Sequence, residues 1–107
     1  MNEPIAKQDL IFEKSSGEKF SVSIQIGTPY EVKDGKGSDF ARCPVFIKGL
    51  HKKPHDVAGL DTFQALTLAI AHVRDMLKYF VEDGNKIYLY DGISEFEFGP
   101  NFPEFKH

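Results

Sequence analysis

Cys43 and the histidines are the side chains of this 107-residue sequence with the widest chemical reach. A thiol paired with an imidazole can act as a nucleophile with its base. Cys43, however, lies in "FARCPVFIKGL" (40–50), where alternation sets it on one face with Ala41, Val45 and Ile47. On such a face a free cysteine behaves as a small hydrophobe, so it is read as core. His51 and His55, with Asp56, offer the donor types that hold a transition-metal ion. No second ligand cluster stands at the spacing of a known metal site, and the three are read as solvated loop residues. The run "GKGS" (35–38) lacks the G-x-x-x-x-G-K-[ST] spacing and the strand-to-helix setting of a phosphate loop. No catalytic residue, metal or cofactor is therefore expected.

Other polar groups have structural work to do. Asp61 opens the most strongly patterned stretch, "GLDTFQALTLAIAHVRDML" (59–77), and Gln64 follows three residues later. A helix N-terminus favours anions, but this pair has the form of a capping box, with Gln64 reaching back to the cap's own N–H. His72 falls on the wider apolar flank of that helix and is read as a bonded boundary residue. Tyr88 and Tyr90, beside Glu95 and Glu97, are the candidate interface: tyrosine supplies broad, fairly rigid contact area, and the carboxylates add a charge preference.

The elements that would position these groups follow from periodicity. "DLIFEK" (9–14) and "KFSVSIQI" (19–26) flank the turn-forming Ser15-Ser16-Gly17-Glu18. Phe20, Val22, Ile24 and Ile26 alternate with polar residues, the period of a strand with one buried face. Gly27 and Pro29 end or bulge it. A polar loop (32–39) leads to the third strand, where Pro44 removes a ladder donor and calls for an edge or a bulge. Residues 51–59 read as a loop. Phe63, Leu66, Ile70, Val73, Leu77 and Phe80 then form one helical stripe, stopped at Gly84. "KIYLY" (86–90), Asp91-Gly92 and "ISEFEF" (93–98) read as a hairpin in which Tyr88 opposes Glu95. Ile87, Leu89 and Phe96 share one face, and Tyr88, Tyr90, Ile93 and Glu95 the other. The predicted fold is α+β: an antiparallel sheet of four to five strands, β-β-β-α-β and a further β, with one long helix on one face. It forms one domain over residues 1–107, with an irregular tail from 99.

Composition sets outer bounds. Hydrophobic residues at 41% and charged ones at 27% match ordinary globular usage, which excludes a disordered or fibrous chain. No apolar run reaches the length of a membrane span, and the N-terminus lacks the pattern of a secretory signal, so a cytoplasmic protein without a membrane partner is expected. One cysteine agrees with a reducing compartment. Residues 1–50 balance seven basic against seven acidic side chains, whereas residues 51–107 hold six against nine. Near the end Asp91, Glu95, Glu97 and Glu104 face Lys106. No basic stripe exists for nucleic acid, and this end would attract a basic partner.

"IGTPY" after a strand, an aromatic shortly before "RC", and a loop into "GLDTFQALTLAI" together resemble a family of small bacterial proteins described only as a domain of unknown function. In that family a glycine-x-proline follows the second strand and a helix opens with a Gly-x-Asp-Ser-x-Gln-Ala-Leu-like motif. Gly27, Pro29, Cys43, Gly49, Gly59, Asp61, Gln64, Ala65, Leu66, Leu68 and Ala69 match, while Thr62 stands where serine is usual and Phe40 where tryptophan is. The resemblance spans roughly residues 19–90 and implies no activity, because the family has none assigned. The residues themselves favour a non-catalytic protein-binding module, in its specific form an immunity or antitoxin-type inhibitor of a basic toxin. The alternative is a small-molecule binder or small enzyme with a pocket between helix and sheet near Cys43 and His72. Homodimerisation through the Tyr88/Tyr90 face suits either.

Overall fold

A computed structural model describes residues 3–33 and 39–103. The run 35–38 and the tail residues Glu104 and Lys106, both weighed above, lie outside the described residues.

The first two strands form as their alternation requires. β1 (Ala6–Glu13) and β2 (Lys19–Ile26) pair antiparallel from Ala6↔Ile26 to Glu13↔Lys19. Their turn closes with the Lys14 N–H donating to Glu18 O and the Gly17 N–H to Lys14 O, both at 2.8 Å. Gly17 takes φ 92°, a value an L side chain would resist.

β3 (Tyr30–Lys33) and β4 (Asp39–Lys48) follow. Val45 pairs with both Ile26 of β2 and His55 of β5 (His55–Gly59), and Ala41 pairs with both Glu31 of β3 and Gly59 of β5. β2 and β3 must therefore run along the same edge of β4, with β5 on the other. Between them Gly27, Thr28 and Pro29 stand opposite only Cys43 and Pro44, one residue in excess, which is a bulge. The Gly27 N–H donates to Pro44 O at 2.9 Å. Pro44 is thus accommodated at a bulge inside the sheet, the second of the two settings its missing N–H allows.

β6 (Lys86–Leu89) joins the free edge of β1, with Ile11↔Tyr88 and Phe12↔Ile87 in register. The sheet has six antiparallel strands. Two more form than the alternation alone marks, β3 within the supposed run-up to a loop and β5 within the supposed loop 51–59. Neither carries a hydrophobic period of its own; both are held by the backbone of β4. Conversely, residues 93–98 do not form the expected strand. The Tyr88–Glu95 pairing is present as an isolated bridge, with Leu89 N–H to Ser94 O at 2.7 Å and Phe96 N–H to Ile87 O at 3.0 Å. The register was legible, but the ladder stops there, and the chain enters a short helix α2 (Phe98–Asn101) where an irregular tail was expected.

The long helix α1 (Thr62–Glu82) packs against β4, β5 and β6. Asp61 caps it: Oδ1 accepts the Gln64 N–H at 2.7 Å, while Gln64 Oε1 accepts the Leu60 N–H, one residue before the position anticipated. Gly84, at φ 90°, ends it by donating to Val81 O. The buried line is Ala65, Ala69, Val73 and Leu77, four residues apart, with Leu66, Met76 and Phe80 half-buried beside it. Phe63, placed in the stripe by its hydrophobicity, is 76% exposed, and Ile70 is also exposed. Close approach causes the rotation. A Cβ on Gly59 would lie 2.5 Å from the Ala65 nitrogen, so β5 and the first turn meet backbone to backbone and only alanines fit there.

The core lies between this helix and one sheet face, where Leu10, Phe12, Val22, Ile24, Ala41, Cys43, Val45 and Ile47 are buried. The alternate residues Asp9, Ile11, Ser21, Ser23, Gln25 and Lys48 form the other face, which no described element covers. Among the described residues no helix is long and apolar enough to cross a membrane.

Candidate functional site

Two places carry polar chemistry: the rim of the uncovered face and a group of imidazoles between β5 and α1.

At the rim, Tyr88 lies on the uncovered face beside Ile11, with the Lys19 ammonium 5.6 Å from its ring centroid. Tyr90 borders a groove of about 580 Å³ floored by residues of β1 and β2, including Asp9, Ile11 and Ser23. Tyr90 and Ile93 are each 81% exposed. The loop between them is pinned by one carboxylate. Asp91 Oδ1 accepts the N–H groups of Ile93 and Ser94, both at 2.9 Å, and Oδ2 accepts the Ser94 hydroxyl at 2.7 Å. The Ser94 hydroxyl, then the two N–H groups, hold the Asp91 carboxyl below its usual range. These bonds take up the Ile93 and Ser94 N–H groups within the loop itself.

Glu95 and Glu97 are exposed and enter no ion pair among the described residues. The four anticipated residues are not one patch of equal parts: Tyr88 is half-buried, Glu95 bridges it, and Glu97 begins α2, its carbonyl accepting from Asn101. The described part of the tail does not fold over the tyrosines. It turns toward the helix side, where Phe98 and Phe102 pack on the buried Phe96 at centroid distances of 5.2 and 6.2 Å. Ile93, which sequence reasoning placed on the tyrosine face without singling it out, is as exposed as Tyr90.

The second place was only partly visible in the sequence. His55, on β5, and His72, on α1, bring their Nε2 atoms to 2.9 Å, with rings edge to face at 4.9 Å. His51 stacks next to His55 at 5.6 Å, and its Nδ1 is buried without a partner. Asp56, grouped with His51 and His55 by sequence, faces the other way and accepts the Tyr30 hydroxyl at 2.7 Å, which raises the Tyr30 phenol. Among the described residues no three His, Cys, Asp or Glu side chains stand together at metal-holding spacing. His72 is bonded, as expected, but the partner was hidden because β5 was not recognised as a strand.

Burial lowers the His72 imidazole below its usual value of 6.5; the charges of His55 and His51 act the same way and Asp75 opposes them. Burial, then His55, also lowers His51. The unfolded chain therefore takes up these protons first as pH falls, and stability present above about pH 6.5 is lost as the pH drops through the lowered folded values. Urea unfolding between about pH 7 and pH 5 is expected to show this loss, with a shallower slope in His72→Gln.

Cys43 is fully enclosed among the core residues, and burial, then the charge of Asp56, pushes its thiol up. Cys43 does not line the cavity between helix and sheet. That cavity, about 370 Å³, runs instead along Ile24, Ile26, Ile70 and Val73 and is bordered by Phe102.

Fold and sites together define a small α+β protein in which one capped helix covers one face of a six-stranded antiparallel sheet and no described element covers the other. The chain belongs to the family Domain of unknown function (DUF6968), whose model matches residues 7–98. That match takes in all of α1 and every strand apart from Ala6, the first residue of β1, extending beyond residues 19–90 at both ends. No curated protein and no solved structure matches it.

Proposed function

We propose that this protein is a protein-binding module that engages a basic partner through the Tyr90–Ile93 loop and the sheet face beside it that no described element covers. The observation that carries the reading is the loop itself: two large apolar side chains, each 81% exposed, stand on a backbone that Asp91 holds in place. An ordered loop loses little entropy on binding, and an aromatic anchor at a groove is the kind of residue that dominates interface energies. Glu95 and Glu97, free of ion pairs among the described residues, supply the preference for positive charge. An immunity or antitoxin-type inhibitor of a basic toxin in a bacterial cell is the specific form of this reading.

The test is binding of the products of adjacent genes to the wild-type chain, to Tyr90→Ala/Ile93→Ala and to Glu95→Lys/Glu97→Lys. A partner should bind the wild type, lose roughly 10- to 30-fold in affinity with the alanine pair, and associate more slowly with the charge reversals, most at low salt. Full affinity in both variants, or no binding of any neighbour, would overturn the reading. Light scattering on the same samples separates a partner from a second copy of the chain.

A further inference from the structure

We propose that His55 and His72 are the two protein ligands of a binding site for a divalent transition-metal ion, zinc, nickel or copper, that clips β5 to α1. The site is separate from the Tyr90 loop, and its failure would leave the binding reading untouched.

Geometry carries the inference. The two Nε2 atoms face one another at 2.9 Å from different elements. Two imidazole nitrogens about 2.0–2.1 Å from one ion are about 2.9 Å apart when they meet at a right angle and about 3.4 Å apart in a tetrahedron. The rings thus already stand at the spacing of two ligands, or need to part by roughly 0.5 Å. Without an ion, that distance is a hydrogen bond in which one ring donates and the other accepts. Both nitrogens can turn lone pairs to a metal if the donor ring carries its proton on Nδ1 instead, a tautomer change through solvent that leaves both rings neutral.

One neighbouring group agrees. His51, beside His55, has a buried Nδ1 without a partner, and a water on a bound ion is the type of group such a nitrogen needs. An all-imidazole pair with water completing the shell suits zinc, nickel or copper and not magnesium or calcium.

The experiment uses the full chain after chelator treatment, with ZnCl2, NiCl2 or MgCl2 added. Zinc or nickel is expected to raise Tm by about 5 °C near saturation, and magnesium to leave it unchanged. His72→Gln and His55→Gln, each keeping a hydrogen-bonding side chain, should abolish the rise. Both keep His107, so adventitious binding by other histidines would persist in them and would overturn the proposal. Nitrogen-15 spectra of the imidazoles in the wild type provide a readout that needs no variant to fold: zinc should move the Nε2 signals of His55 and His72. Zinc-insensitive signals at those two rings would mean that the pair is a hydrogen bond alone, and would also overturn it.

Discussion

Replacing Phe12 with alanine is expected to destabilise the fold by about 3–5 kcal/mol, among the largest effects of any single side chain here. Phe12 is fully buried near the C-terminal end of β1. Its ring lies 4.5 Å from that of Phe80 on α1 and 5.7 Å from that of Phe20, its partner on β2. Truncation removes the transfer energy of the ring and leaves a cavity bounded by helix and sheet, which a close-packed interior cannot collapse without moving one of them. Small proteins are stable by only about 5–15 kcal/mol in all, so a large share of folded-state stability should vanish. Urea unfolding should show a lower midpoint with an unchanged slope. A loss below about 1 kcal/mol would mean that β1 and α1 do not meet as described. Phe12 also pairs with Ile87, so the variant should loosen β6 and with it the support of the Tyr90 loop.

How far the sequence reaches depends on what holds each element. β2 and the core face of β4 write their own alternation, and Asp61 and Gln64 mark the start of α1, so these are legible from residues alone. β3 and β5 are not, because their hydrogen bonds come from the edges of β4, and five residues such as "HDVAG" hold only one half-buried apolar side chain, Val57, to betray a face. The loss of β5 hid the histidine pair, since His55 and His72 converge only when residues 55–59 are a strand beneath the helix. In the last third, the Tyr88–Glu95 register was readable, but a backbone pattern does not show that the Asp91 carboxylate will capture the N–H groups of Ile93 and Ser94. That one side chain makes an ordered loop at the head of the Tyr88–Glu95 bridge, and so moves the weight of the candidate interface from the tyrosine pair toward Tyr90 and Ile93.

Gly59→Ala is expected to be nearly as damaging as the loss of Phe12, about 2–4 kcal/mol, although it adds a single methyl group. Gly59 has no left-handed backbone to defend, so conformational freedom is not the reason. The added Cβ would meet the Ala65 nitrogen at 2.5 Å and its Cα at 2.8 Å, and backbone atoms cannot swing aside as a flexible side chain can. Relief requires the first turn of α1 to lift from β5, which would strain the Asp61 cap and draw His72 away from His55. Gly17→Ala is the control. Gly17 sits at φ 92° with open space around it, so its variant should lose only the strain of that conformation, roughly 1–2 kcal/mol. Thermal unfolding of the two variants side by side separates close approach from backbone strain. If Gly59→Ala were the milder of the pair, β5 would not lie against the helix. The rotation of the buried stripe from Phe63 to Ala65 and Ala69 would then lose its cause, and the approach of His55 to His72 would lose its frame.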